Sequence, residues 1–171
     1  MKKIIHTIAV LFALIATPIQ ASSEDIMLDM IDYIEERSSY EYSGEKLPYI
    51  QIRTVEELCA KAFTPEQLEN MQECNIAGLY DRNLQTIYVA DKPPRYFVED
   101  GFYETILIHE LVHYLQDING TYEEVACKAQ LERDAYSIMH QYIDDNGISE
   151  DQKVDPIFVL LVSSCPGSPH F

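Results

Sequence analysis

The spacing of apolar residues predicts two long helices in the second half of the chain. Apolar residues recur every three or four positions from Phe102 to Ile118, and Asn119-Gly120 ends this pattern. A second helical pattern runs from about Tyr122 to Asp145. Because the connection between the two patterns is so short, we expect the two helices to lie antiparallel.

The first half of the chain mixes helical and extended patterns. An amphipathic pattern over Asp25–Arg37 predicts a helix, and the residues of Leu47–Arg53 predict a strand. Ile76–Tyr80 and Leu84–Ala90 flank the turn-forming segment Asp81-Arg82-Asn83, which predicts a β-hairpin. Helices combined with a small sheet indicate an α+β fold.

Three shorter elements complete the prediction. Thr54 is expected to cap a short helix, with Glu57 placed to complete a capping box. Thr64-Pro65 is expected to start another helix, because proline is favourable at the first helical position. The apolar segment Pro156–Ser164 is too short to span a membrane, and we expect it to pack on the core.

The first 21 residues have the pattern of an export signal. Lys2 and Lys3 precede a largely apolar run, Pro18 breaks that run, and Ala21 is small enough for a cleavage site. An uncleaved membrane anchor is the alternative, but the apolar run is shorter than the roughly 20 residues that a membrane-spanning helix needs. We therefore expect residues 1–21 to be removed and residues 22–171 to form a single domain. That domain is expected in the periplasm or outside the cell, without stable insertion in a membrane.

Acidic residues dominate the composition. The chain has 12 Lys and Arg against 29 Asp and Glu, and the export signal contains two of the basic residues and no acidic one, so the remainder has a net charge of −19. Such a surface repels phosphate backbones. We therefore expect no nucleic-acid partner, and we attach no substrate preference to the excess of acid.

Four cysteines follow the export signal. An even number of cysteines in an exported chain predicts two disulfides. Of the three possible pairings we favour Cys59–Cys74, which closes a short loop, together with Cys127–Cys165, which ties down the C-terminal segment. A four-cysteine zinc site is the competing interpretation, but the chain lacks a closely spaced CxxC pair.

The motif with the clearest chemistry lies inside the first long helix, where residues 109–113 read His-Glu-Leu-Val-His. Positions four apart lie nearly in line on a helix, so His109 and His113 can reach one Zn²⁺ from the same face. Glu110 points about 100° away from His109 and lies beside the metal. That is the position of a general base that deprotonates a water molecule. Two ordinary histidines on a half-buried helix are the alternative.

A catalytic zinc also needs a third protein ligand and an open position for water. The second long helix offers Glu123, Glu124, Glu132, Asp134 and His140. Residues at similar distances from a tight turn meet in an antiparallel pair, which favours Glu132 and places Glu123 and Glu124 too near the turn. A solvated surface acid is the alternative role for Glu132.

The HExxH motif followed by Glu132-Arg133-Asp134-Ala135-Tyr136 resembles the gluzincin metallopeptidases, in which an E-x-[DE]-A motif often lies on the next helix. It is also similar to short exported HExxH proteins. The resemblance covers about residues 76–142. It implies a minimal zincin-like fold with a small sheet, a metal helix and an antiparallel supporting helix. It also implies Glu132 as the third Zn²⁺ ligand and Asp134 as a residue that supports the site.

Tyr136 departs from the pattern of those families, where Asp or Asn often follows the alanine. It lies one helical turn after Glu132, so its hydroxyl is a candidate donor to a developing oxyanion. Packing is the alternative role, because the chain contains 12 tyrosines.

These features predict an exported zinc-dependent hydrolase, with a peptide or protein substrate implied by the resemblance. The main alternative is a non-catalytic metal-binding or interaction protein on the same scaffold, although a structural zinc site has no need of a base at Glu110. A disulfide-stapled secreted domain without metal is a third interpretation. The sequence leaves the oligomeric state open.

Overall fold

The computed structural model describes residues 22–94 and 97–165, so the predicted export signal lies outside the described residues. Within these ranges the chain is α+β, as predicted, with seven α-helices and a three-stranded sheet. The helices are α1 (Ser23–Glu35), α2 (Val55–Ala62), α3 (Pro65–Asn70), α4 (Phe102–Ile118), α5 (Thr121–Glu124), α6 (Ala129–Asn146) and α7 (Pro156–Val162). The strands are β1 (Tyr49–Arg53), β2 (Gly78–Asp81) and β3 (Thr86–Ala90).

The sheet has β3 at its centre. β3 pairs in parallel with β1 and antiparallel with β2, which confirms the predicted hairpin. Oδ1 of Asp81 accepts hydrogen bonds from the backbone N–H groups of Asn83 and Leu84 and so closes the hairpin turn. Every residue of β3 is buried, whereas β2 forms one edge of this sheet.

α4 is the central helix of the core, and its bounds are those predicted. It packs against β2 and β3 on one side and against α6 on the other. Near its C-terminal end, Nε2 of Gln116 donates a hydrogen bond of 2.9 Å to the carbonyl of Leu131. Gly101, at its N-terminal end, lies against Ile148, just beyond α6. α4 and α6 are therefore antiparallel, as predicted.

The predicted second long helix is interrupted, which corrects the expectation of one helix from Tyr122 to Asp145. α5 ends at Glu124, and Val125 is extended, with φ −82° and ψ 145°. Cys127 lies in this break and is bonded to Cys165, so the chain leaves the helical path where it is cross-linked. The side chain of Gln130 then accepts the backbone N–H of Ala126 and helps to start α6.

Both favoured disulfides are present. Cys59–Cys74 joins α2 to the segment before β2, and Cys127–Cys165 joins the α5–α6 break to the end of α7. The predicted caps of α2 and α3 are present as well, each as a capping box. No helix in the described ranges combines the length and the apolar composition that crossing a membrane requires.

The expectation that Pro156–Ser164 packs on the core is wrong. The segment forms α7, which contacts α6, but four of its large apolar side chains are 49–70% exposed. The apolar pattern indicated burial correctly for α4 but not for α7. α7 packs on the outer side of α6, so only one side of α7 is covered by protein.

Candidate metal centre

The three residues predicted as metal ligands lie together where α4 and α6 face each other. Nε2 of His109 lies 3.2 Å from Nε2 of His113. The carboxylate oxygens of Glu132 lie 3.3 Å from Nε2 of His109 and 3.4 Å from Nε2 of His113. One ligand atom from each residue lies within 4.8 Å of the other two, so the group could hold a metal ion.

The spacing of these atoms fits a small tetrahedral cation. Zinc binds imidazole nitrogen and carboxylate oxygen at about 2.0–2.2 Å, which corresponds to separations of about 3.3–3.6 Å between the ligands of a tetrahedron. The two imidazole nitrogens lie 3.2 Å apart, and they lie 3.3 and 3.4 Å from different oxygens of the Glu132 carboxylate, which is close to that edge length. Two nitrogens and one carboxylate also form the donor set of catalytic zinc sites, which keep a fourth position open.

Charge attracts the three side chains to one another. Burial would raise the pKa of the Glu132 carboxyl, but hydrogen bonds from His109 and His113 outweigh it and hold that pKa far below its usual range. Burial would likewise lower the pKa of His113, but the hydrogen bond and charge of Glu132 raise it to about 9. The carboxylate therefore stays negative and counterbalances positive charge at this point, whether a protonated imidazole or a cation supplies it.

Glu110 lies beside this cluster and is not part of it. Its side chain is buried, and within the described residues Oε2 has no hydrogen-bond partner. Burial is the largest cause of the raised pKa of Glu110, and the charge of Glu132 raises it further. A buried carboxylate with a raised pKa and a free oxygen has the properties of a general base.

The backbone of β2 passes close to Glu110 at Gly78. A Cβ atom at this position would lie 2.6 Å from Oε1 of Glu110 and 2.5 Å from Cγ2 of Ile106. Because glycine has no side chain, β2 can pack directly against Ile106 and Glu110. Any other residue at this position would collide with both.

A buried hydrogen-bond network supports His113 from behind. Nε2 of Gln116 donates to the carbonyl of Leu131 and to the hydroxyl of Tyr40, so its Oε1 must face Nδ1 of His113, at 2.8 Å. Nδ1 of His113 therefore carries a proton, and its Nε2 faces Glu132. The sequence predicts only packing or capping for Gln116, although its place three residues after His113 indicates a contact with that side chain.

Asp134 supports the site only indirectly. The Tyr40 hydroxyl, which accepts from Gln116, donates to the Asp134 carboxylate at 2.7 Å. Asp134 is exposed and is the last member of a relay that reaches His113 through two other side chains. The resemblance placed this acid in a supporting role without predicting the two intermediates.

Tyr136 and His140 follow Glu132 along α6. The ring of Tyr136 packs edge-on against His109, with centroids 4.6 Å apart, and burial is the largest cause of its raised pKa. Its hydroxyl thus stays protonated and able to donate. His140 is not a member of the cluster, because its Nε2 accepts the backbone N–H of Val154 at 3.1 Å.

Tyr122, on α5, is a second tyrosine at the site, and sequence analysis missed it. Burial is the largest cause of its raised pKa, and the charge of Glu110 is the next. The Arg82 guanidinium lies 4.0 Å from the centroid of the Tyr122 ring, and Arg82 is itself held by Asp117 at 2.7 Å. The break before α6 makes α5 a separate short helix, and the helical pattern does not reveal that break.

The cluster opens into a cleft of about 1340 Å³. Glu110, Glu132, β2 and the segment that precedes β2 all line this cleft. Apolar side chains from several elements line much of the rest: Phe63, Met71, Ile76, Leu79, Phe97, Met139 and Phe158. A cleft of this size can admit an extended segment of several residues.

The chain belongs to a family described as a domain of unknown function, DUF6647, whose profile matches residues 20–170. No curated protein and no solved structure matches the chain. The description of this family names no activity.

Proposed function

We propose that this member of the DUF6647 family is an exported zinc-dependent hydrolase that acts on peptide bonds. The observation that carries the proposal is the division of the site into two parts. His109, His113 and Glu132 place two imidazole nitrogens and a carboxylate at the spacing of zinc ligands, and Glu110 lies beside them as a buried carboxylate whose Oε2 has no hydrogen-bond partner within the described residues. The proposal extends to the fold, a minimal zincin-like arrangement related to the gluzincins.

A Zn²⁺ held by His109, His113 and Glu132 would acidify a water molecule and polarise the carbonyl group of the substrate. Glu110 would accept the proton of that water, and its raised pKa makes it a better base near neutral pH. It would then pass the proton to the leaving amine. Tyr136 would donate a hydrogen bond to the carbonyl oxygen as negative charge develops there. Gln116 would keep Nε2 of His113 directed at the metal throughout.

The burial of Glu110 also argues against the main alternative, a metal-binding protein without catalytic activity. A structural site needs only its ligands, and burying a further carboxylate with one oxygen left without a hydrogen bond costs free energy. That cost is understandable if the free oxygen accepts a proton from a water molecule. The cleft beside Glu110 supports the same conclusion, because it gives a substrate access to the carboxylate.

Export is the second component of the proposal. Two disulfides and no free cysteine in the described residues fit an oxidising compartment outside the cytoplasm. The sequence pattern of residues 1–21 fits the same destination.

Metal and activity measurements test the proposal together. The exported protein, purified without chelator, is expected to contain about one zinc per chain by elemental analysis. It is expected to cleave members of a mixed peptide pool, to lose that activity with a chelator and to regain it with Zn²⁺. Absence of any first-row metal would exclude the zinc centre. One zinc per chain without cleavage of the pool would favour the non-catalytic alternative.

A further inference from the structure

α7 presents an apolar surface that the fold does not use. Ile157, Phe158, Leu160 and Leu161 are 70%, 49%, 63% and 59% exposed. We call these four side chains the α7 apolar face. No charged residue occurs from Pro156 to Cys165, although the chain as a whole has a net charge of −17. Large contiguous apolar patches are rare on proteins that bind nothing, so this face indicates a binding surface.

The α7 apolar face is continuous with the cleft that contains the metal centre. Phe158 belongs to both, since it is half-exposed on α7 and also lines the cleft. Met139, on α6, lines the same cleft as Glu132 and Phe158. A chain lying in the cleft beside Glu132 can therefore continue past Phe158 onto the α7 apolar face.

The position of α7 relative to the metal centre is fixed by contacts at both of its ends. Cys165 is bonded to Cys127, directly before α6, the helix that carries Glu132. At the other end, the Asp155 side chain caps the helix at the N–H of Ile157, and the preceding N–H of Val154 donates to His140 on α6. The face is thus preformed, which lowers the entropic cost of binding to it.

Charge distinguishes among possible occupants. A second copy of this chain would bring its own acidic surface to the interface, and a membrane with anionic lipids would be repelled for the same reason. An uncharged apolar stretch of polypeptide meets neither penalty. It is also the one occupant that explains why the face adjoins the cleft.

We propose that the α7 apolar face is an exosite, which binds an apolar stretch of the same polypeptide whose peptide bond lies at the metal centre. This inference rests on the proposed peptidase function and narrows its substrates to polypeptides that expose an apolar segment some residues away from the cleaved bond. Such segments are buried in folded proteins, so unfolded chains are the expected substrates.

A binding measurement without turnover tests the exosite. The probe is a fluorescein-labelled 15-residue peptide with a run of leucine and valine between glycine and serine residues. Its affinity for zinc-loaded Glu110→Gln protein is measured by fluorescence anisotropy. The exosite variant adds Leu160→Ser and Leu161→Ser to this background. The matched control adds Ile26→Ser and Ile52→Ser, which are 40% and 48% exposed but do not line the cleft.

We expect the exosite variant to bind the probe at least about tenfold more weakly and the control to bind it like the parent, since truncation of central apolar contacts commonly has this effect. Equal affinity of the two variants would overturn the exosite. The exosite would also be overturned if the exosite variant bound the probe like the parent but no longer formed a dimer that the parent forms in sedimentation velocity. The same holds if it bound the probe like the parent but no longer bound phosphatidylcholine vesicles. Failure of the wild-type protein to hydrolyse peptides would instead contradict the proposed function, because the anisotropy result does not depend on turnover.

Discussion

Oε1 of Gln116 lies 2.8 Å from Nδ1 of His113, and the other end of the same amide is bonded to the carbonyl of Leu131 on α6. The backbone of α6 therefore determines which way the amide points, and the amide determines which nitrogen of His113 carries the proton. α6 also carries Glu132. The same helix thus supplies one metal ligand and orients another.

The first prediction concerns this amide. Gln116→Leu is expected to lower zinc affinity by about 10–100-fold, the usual effect of removing a hydrogen bond that orients a metal-ligating histidine. All three proposed ligands, His109, His113 and Glu132, remain in this variant. The loss of zinc affinity therefore measures only the orientation and tautomer of the His113 imidazole. A competition titration with a chromophoric chelator measures the affinity directly.

Gln152→Leu is the matched control for this variant. Gln152 is also a buried glutamine that donates to two carbonyls, those of Val98 and Asp100, and it contacts none of the proposed ligands. We expect Gln152→Leu to lower the free energy of unfolding without changing the zinc affinity. Similar zinc affinities for the two variants would show that Gln116 contributes packing alone.

The second prediction concerns Gly78. Gly78→Ala places a Cβ within 2.6 Å of Oε1 of Glu110, so the carboxylate must move. Peptidase activity is expected to fall by about 10²-fold or more, because a general base has to lie within hydrogen-bond reach of the water. Zinc content is expected to remain near one per chain, since the atoms nearest the added Cβ belong to Ile106 and Glu110 and not to a proposed ligand. Elemental analysis and the peptide-pool assay together measure the two effects.

A double variant separates displacement of the base from general strain. Ile106→Ala removes the second clash, at 2.5 Å, and should restore part of the thermal stability lost in Gly78→Ala. It leaves the contact with Glu110, so activity should stay low. Recovery of activity together with stability would mean that strain, and not displacement of Glu110, caused the loss.

The metal helix and its partner could be predicted because their signals are local. HExxH on an apolar-periodic segment predicts both the helix and the face on which His109 and His113 lie. Glu132 required only one further step, the distance of each residue from a tight turn in an antiparallel pair. That step succeeded although the second helix is broken, because the break lies between the turn and Glu132 and leaves α6 beside α4.

Other parts of the site depend on contacts that no sequence pattern records. Tyr40 joins the network of Gln116 from the loop after α1, far away in sequence. Arg82 reaches Tyr122 from the hairpin turn. The predicted burial of α7 was wrong for a related reason. An apolar composition indicates that a segment is covered by another surface, but not whether that surface belongs to the same chain.

The third prediction is a pH dependence of stability at His140. Nε2 of His140 accepts the N–H of Val154, which only the neutral imidazole can do. Burial and then the charge of Lys153 lower its pKa, while Asp144 and Glu150 oppose this and His109 adds to it. A lowered pKa in the folded state gives stability that is present above the unfolded pKa of about 6.5 and is lost as pH falls through the folded value.

His140→Gln tests this dependence, because the glutamine carbonyl can accept the same N–H at any pH. Between about pH 7.5 and pH 5, the free energy of unfolding of the wild-type protein should fall more steeply than that of the variant. The difference should be at most about 1 kcal/mol, the net value of one hydrogen bond. Urea denaturation at several pH values provides the measurement, and parallel curves would show that His140 does not titrate in this range.

The last prediction separates the roles of the two carboxylates at the metal centre. Glu132 is the proposed ligand, so Glu132→Ala should lower zinc affinity by more than about 100-fold and reduce activity through loss of metal. Glu110 is the proposed base, so Glu110→Gln should keep the metal, because the amide is nearly isosteric and both histidines are intact. Its activity should still fall by about 10²- to 10⁴-fold, the usual contribution of a general base.

Zinc content is what discriminates between the two roles, since both variants are expected to be nearly inactive. Glu124→Ala is the control, an exposed acid on the neighbouring α5 that should keep both zinc and activity. Loss of zinc from Glu110→Gln with retention in Glu132→Ala would reverse the assignment. Restoring Glu132→Ala with excess Zn²⁺ sharpens the test. If Glu132 acts only as a ligand, saturating metal should recover part of its activity, whereas no concentration of Zn²⁺ can replace the base that Glu110→Gln lacks.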